Sequence, residues 1–204
     1  MKRIFIALFL LAATFQLLPA QGVSAYPAVV ECEMDSRILG CTKKYCVYLP
    51  AGYGCEEREF PVLYLLHGLT DTHTAWRDKG NVQEIATEIF ATGEAVEMVI
   101  VMPDAGTTFD GYFNVPGWRY EDFFFQEFIP HIEKEYRVIA DKGHRAIAGL
   151  SMGGGGCTSY AQRHADMFGA CYAMSAFLHM GAEGVDAQKV AEGDKTALLM
   201  EAAH

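Results

Sequence analysis

The sequence predicts an α/β protein, a mostly parallel sheet with helices on both faces. Three observations predict it. Short apolar runs recur at residues 61–66 (PVLYLL), 98–102 (MVIVM), 145–150 (RAIAGL) and 169–174 (GACYAM). Strands buried on both faces lose their alternation and become continuous apolar runs of this length. The stretches between them place apolar residues at helical spacing, and strands alternating with helices are the pattern of a parallel sheet.

Taken in order, residues 1–25 stand apart. Lys2 and Arg3 precede an apolar run from Ile4 to Ala13, and Val23-Ser24-Ala25 supplies small residues for cleavage. This is the composition of a secretory signal peptide, too short and interrupted to span a bilayer. Residues 26–204 are expected to form one domain with 14 basic against 26 acidic residues. That balance argues against nucleic acid and anionic membrane surfaces as partners. Residues 45–49 (YCVYL) form a strand closed by Pro50-Ala51-Gly52, and residues 82–91 carry Ile85, Ile89 and Phe90 at helical spacing. Residues 123–136 repeat that spacing with Phe124, Phe128, Ile132 and Tyr136, but Pro130 predicts a kink or two segments.

Six cysteines are present, four of them early: Cys32, Cys41, Cys46 and Cys55. An exported chain can oxidise these, so at least one disulfide is expected among them. The strand holding Cys46 is expected to pair with one around Cys32 across a turn near Leu39-Gly40, which makes Cys32–Cys46 the first choice. Cys157 and Cys171 are expected to be buried free thiols. The spacing has no C-x-x-C and no nearby histidine pair, so it suits no zinc site.

The chemistry gathers at the end of the run 145–150. Gly149-Leu150-Ser151-Met152-Gly153 is a G-x-S-x-G with an apolar strand before it and a small-residue, helix-like stretch after it. In that context the motif makes a tight, strained turn that lifts the Ser151 hydroxyl above the sheet as a nucleophile and aims the Met152 N–H at a developing oxyanion. The run Gly153–Gly156 has no following G-K-[ST], so close helix–sheet packing explains it better than phosphate binding. Residues 61–66 end in His67-Gly68-Leu69-Thr70-Asp71 with Trp76 soon after, a loop of the kind that supplies the second oxyanion donor. Leu69 N–H is the candidate, and His67 is expected to hold the loop rather than act as base.

With YCVYLPAGY, PVLYLLHGLTDTHTAW, MVIVMPDAG, YEDFFFQEFIPHIEKEYRV and GLSMGGGG in this order, the chain from about Cys41 to Ala176 resembles an esterase family of α/β-hydrolases. That family contains esterase D, feruloyl and acetyl-xylan esterases and the antigen 85 mycolyltransferases. The resemblance implies Ser151 as nucleophile, Leu69 and Met152 as the oxyanion hole, no metal or cofactor, and an acyl ester of a small molecule or polysaccharide as substrate. With the leader, it points to a secreted or periplasmic esterase of cell-wall carbohydrate. An acyltransferase of the antigen 85 type is the alternative in catalysis, and a non-catalytic carbohydrate-binding protein or inactive fragment the alternative outside it. Beyond Phe177 the family pattern of two further strands, one ending in the triad aspartate and the other followed by G-H-x-W, has no counterpart. The order Ser151, Asp186 or Asp194, His204 fits a triad, but no strand precedes either aspartate. The fold is therefore expected to be incomplete at its C-terminal side, with the acid and histidine beyond residue 204. Histidines 73, 131, 144, 164 and 179 are expected on the surface or in loops.

Overall fold

The structure, a computed structural model, describes residues 27–107, 111–177, 187–194 and 197. The leader, and with it its cleavage site, lies outside the described residues. Among the described residues, eight strands and six α-helices follow in chain order: β1 (Ala28–Ser36), β2 (Cys41–Leu49), β3 (Val62–Leu66), α1 (Ala75–Asp78), α2 (Val82–Thr92), β4 (Val99–Pro103), β5 (Asn114–Val115), β6 (Trp118–Arg119), α3 (Tyr120–Phe123), α4 (Ile129–Glu135), β7 (Arg145–Leu150), α5 (Met152–Arg163), β8 (Ala170–Met174) and α6 (Ala187–Ala191).

The main sheet runs β1-β2-β4-β3-β7-β8, with β5 and β6 forming a small separate hairpin. β4, β3, β7 and β8 are parallel, and β1–β2 is an antiparallel ribbon laid against β4. The chain leaves β3 towards β4 and then returns across β3 to β7. The carboxyl ends of β3, β4 and β7 therefore meet where strand order reverses, the place where open α/β sheets build their sites.

Each strand divides its side chains between two cores, as period-2 pleating requires. Val47, Tyr64, Leu66, Val101 and Ile147 pack under α5 and the α3–α4 segment, with Phe124, Phe128 and Tyr160. Cys46, Tyr48, Leu65, Ile100, Met102 and Ala148 face the other way, towards Val82 and Ala86 of α2. Helices cover both faces, as the apolar runs predict.

The expected interruption near Pro130 takes a specific form. Residues Phe124–Phe128 make a π-helical stretch between α3 and α4, and Pro130 sits in the first turn of α4. Proline has no N–H to continue the ladder, so the preceding carbonyls must find other partners, and a wider turn accommodates this.

The disulfide expectation is corrected. All six cysteines are free. β1 does pair with β2, but Cys32 lies opposite Tyr45 and Cys46 opposite Glu31. Opposed residues share a face, so Cys32 and Cys46 point to opposite faces and cannot be joined. Cys157 is a buried free thiol as expected, whereas Cys171 on β8 is exposed. Burial pushes the Cys46 thiol up to about 11 and the Cys157 thiol up to about 12, which makes both inert.

Candidate active site

Ser151 joins β7 to α5 with φ 53° and ψ −111°, outside the conformations an L-residue with a side chain prefers. Its surroundings enforce this. Its N–H donates to Met174 O at 2.9 Å, and its carbonyl accepts from Phe177 N–H at 2.9 Å and Gly155 N–H at 3.0 Å. The glycines on either side are required by close approach. A Cβ on Gly153 would stand 2.6 Å from His67 O and 2.7 Å from Leu66 O, and one on Gly149 would overlap the Gly153 carbonyl. Gly154, Gly155 and Gly156 press against Ala176, Phe177 and Tyr112, so the glycine run serves packing. Ser151 is half-buried, and no described residue hydrogen-bonds its hydroxyl.

Met152 is buried and opens α5, so its N–H is among the four that no intrahelical carbonyl reaches. The helix dipole adds positive potential at the same point. Across from it stands the loop after β3. The Cβ position of Gly68 is 3.8 Å from Ser151 Cβ, which brings the loop against the elbow. Asp71 N–H closes a turn on Gly68 O at 3.2 Å, with Thr70 at φ 69° in its third position, where glycine is the usual residue. Leu69 is half-buried in that turn.

His67 is almost wholly buried at 1% exposure. Its Nε2 accepts the Ala105 N–H at 3.0 Å, so that nitrogen carries no proton. Nδ1 stands 2.8 Å from Gly68 O and must be the protonated donor. Both ring nitrogens are therefore committed, and His67 cannot serve as a base, in line with the sequence expectation.

The carboxyl end of β4 supplies the next wall. Asp104 follows the strand and accepts the Gly106 N–H at 2.7 Å, with Lys43 Nζ at 3.8 Å. Burial pushes its carboxyl up, but the His67 ring, with Nε2 3.8 Å away, the Lys43 ammonium and the Gly106 N–H together hold it down at about 2. Lys43 also lies over the Trp118 ring at 5.2 Å, which fixes the β5–β6 hairpin. Beside the elbow, a cavity of about 270 Å³ is lined by His67, Gly68, Asp71, Trp76, Lys79 and Leu150.

The structure brings Ser151, Met152 and the Leu69 loop together. It brings no described histidine to Ser151. His73 is a loop residue but buried, with Nε2 3.0 Å from Glu31. His131 meets the Tyr45 hydroxyl, His144 pairs with Asp141, and His164 contacts Glu121 while stacking on Phe125. Asp194 accepts the Ala197 N–H at 2.9 Å, which engages it at the end of α6. His179, Asp186 and His204 lie outside the described residues. Sequence reasoning missed Tyr112, whose hydroxyl donates to His67 O at 3.1 Å while its carbonyl accepts the Tyr160 hydroxyl. Nothing local marks it, because its partners lie just after β3 and on α5. Among the described residues no group of histidine, cysteine or acidic side chains is arranged to hold a metal, and no helix is long and apolar enough to cross a membrane.

A parallel sheet with helices on both faces and a strained strand–serine–helix elbow at its carboxyl edge defines the α/β-hydrolase class. Comparison with known proteins places the chain within that class. Residues 36–202 match the family model described as "Esterase: Putative esterase", and the chain belongs to that family. It is 36% identical over 152 residues to an endo-1,4-beta-xylanase/feruloyl esterase of Xylanibacter ruminicola, covering 71% of this chain and 21% of that protein. It is 35% identical over 125 residues to Esterase Rv1288 of Mycobacterium tuberculosis, covering 58% of this chain and 25% of that one. A solved ferulic acid esterase superposes with TM-score 0.78 at 46% identity, covering 87% of this chain and 68% of that chain. The ferulic acid esterase Fae1A of Anaeromyces mucronatus gives TM-score 0.62 at 28% identity, covering 73% and 57%. The chain thus spans about a quarter or less of the curated relatives it matches.

Proposed function

We propose that this chain carries the nucleophile and oxyanion hole of a serine carboxylic-ester hydrolase acting on acyl esters of carbohydrate, feruloyl esters foremost. The observation that carries the reading is Ser151, held at positive φ on a strand–helix elbow with a hydroxyl that no described residue hydrogen-bonds. In this mechanism a base takes the Ser151 proton as Oγ attacks the ester carbonyl carbon. The oxyanion is held by the N–H groups of Met152 and Leu69, and the alcohol leaves with the proton. Water then attacks the acyl-enzyme, releasing the acid and restoring Ser151. No cofactor is needed for these steps.

The relatives named as feruloyl esterases favour hydrolysis over acyl transfer of the antigen 85 type. The base comes from outside the described residues and, by the chain order of this fold, from C-terminal to Ser151. Asp186 or Asp194 with His204 satisfies that order, but no strand precedes either aspartate. Residues 1–25 have the composition of an export leader, which suits a polysaccharide substrate found outside the cell.

Incubation of the complete protein with a fluorophosphonate, followed by peptide mapping, is expected to label Ser151 and to spare Ser159 and Ser175. Chromatography is expected to show ferulate released from feruloylated arabinoxylan fragments, with Ser151→Ala reducing release to background. Label on another serine would refute the nucleophile assignment. Acyl groups appearing on an added sugar acceptor would favour transfer. Turnover by residues 26–204 that disappears on His204→Ala or His179→Ala would place the base within this chain.

A further inference from the structure

We propose that His67 is a positioning residue that sets the direction of the Leu69 N–H, and so makes the second half of the oxyanion hole. This rests on the reading of Leu69 as an oxyanion donor. A trans peptide is planar, with its C=O and N–H pointing in opposite directions. Whatever grips the Gly68 carbonyl therefore aims the Leu69 N–H the opposite way. Two donors grip it: His67 Nδ1–H at 2.8 Å and the Asp71 N–H at 3.2 Å.

The grip is unambiguous because the other ring nitrogen is occupied. Ala105 N–H donates to Nε2, which fixes the neutral, Nδ1-protonated form and anchors the ring to the loop after β4. The two carbonyls upstream are held as well. Leu66 O accepts Trp76 Nε1–H at 3.2 Å, and His67 O accepts the Tyr112 hydroxyl at 3.1 Å. Three successive carbonyls at the end of β3 are thus tied by side chains. Thr70 bears the resulting strain at φ 69°. Such strain persists only where the surroundings over-determine it.

Asparagine and glutamine separate the two ring functions. Asn places an amide N–H near the position of Nδ1, and Gln places a carbonyl oxygen near the position of Nε2. His67→Gln keeps the Ala105 contact and loses the grip on Gly68, whereas His67→Asn does the reverse. For His67→Gln in the full-length protein we expect the rate of Ser151 labelling by fluorophosphonate, and kcat for p-nitrophenyl acetate, to fall about 10²–10³-fold, the usual loss of one oxyanion donor. KM should stay nearly unchanged, because the lost contact acts in the transition state. His67→Asn should recover most of that loss even if it melts at a lower temperature. Equal rates for the two variants, or faster labelling of His67→Gln, would overturn the assignment. A full-length wild-type protein, with its acid and histidine, whose Ser151 takes no label would instead refute the functional reading itself. Independently of any variant's folding, ¹⁵N ring shifts of His67 in the wild-type chain must show Nδ1–H with a bare Nε2. An Nε2–H tautomer would overturn the proposal outright.

Discussion

At the residue scale, the elbow depends on what the positions around Ser151 lack. A Cβ at Gly153 would meet two backbone carbonyls, of Leu66 on β3 and of His67 after it, and neither can yield without moving the sheet. Gly153→Ala is expected to cost about 3 kcal/mol or more, at the upper end of overpacking, seen as a lower urea midpoint with an unchanged m-value. Asp104 gives a pH prediction. Its folded pKa of about 2 lies below the unfolded value near 4, so the unfolded chain binds the proton more readily. Its contribution is complete above about pH 4 and is lost as pH falls towards 2. Urea midpoints across that range should drop for the wild type and less steeply for Asp104→Asn. Ser151 and its glycines were legible in the sequence because their constraints are local, one strand, one turn and one helix. The tautomer of His67 was not, because its partner Ala105 comes from another strand end 38 residues away.

At the element scale, the central strands were legible as apolar runs because both of their faces are covered. The ribbon strand β1 (AVVECEMDS) was harder to see, since one of its faces carries Glu31, Glu33 and Asp35. The hairpin β5–β6 has two residues in each strand, too few for any pattern to show. Register decided the cysteine question, and no spacing rule could have done so. Alkylation and peptide mapping of the folded protein are therefore expected to find no Cys32–Cys46 link. The turn between β1 and β2 is tied to the π-helical stretch by one carboxylate. Glu127 accepts from the Ser36 hydroxyl at 2.6 Å and from the N–H groups of Arg37 and Ile38 at 3.1 and 3.3 Å. Hydrogen bonds to a charged group contribute about 1.5–3 kcal/mol. Glu127→Ala should lower stability by roughly that amount and raise amide exchange at Arg37 and Ile38, leaving exchange in β7 at the global rate.

At the scale of the whole molecule, the sheet has two unlike edges. β1 ends one side with acidic residues on its outer face, which discourages pairing with another chain. β8 ends the other side among the described residues, and it reads ACYAM with no charge. Its register with β7 is complete, so its other row of N–H and C=O groups faces outward. Tyr172 is 69% exposed there and Phe177, just beyond, is 57% exposed. An uncharged, parallel, apolar edge invites strand addition, whereas a net formal charge of −10 opposes it only over distances that salt screens. The 204-residue chain is therefore expected to self-associate with increasing concentration, more strongly at high salt. Tyr172→Lys should reduce this, because it puts a charge on the edge and removes little buried contact. Its effect on unfolding free energy should stay within about 0.5 kcal/mol, as for other exposed positions. Sedimentation velocity across a concentration series checks both statements. A wild-type chain that stays monomeric at every concentration and salt would show that β8 is already covered.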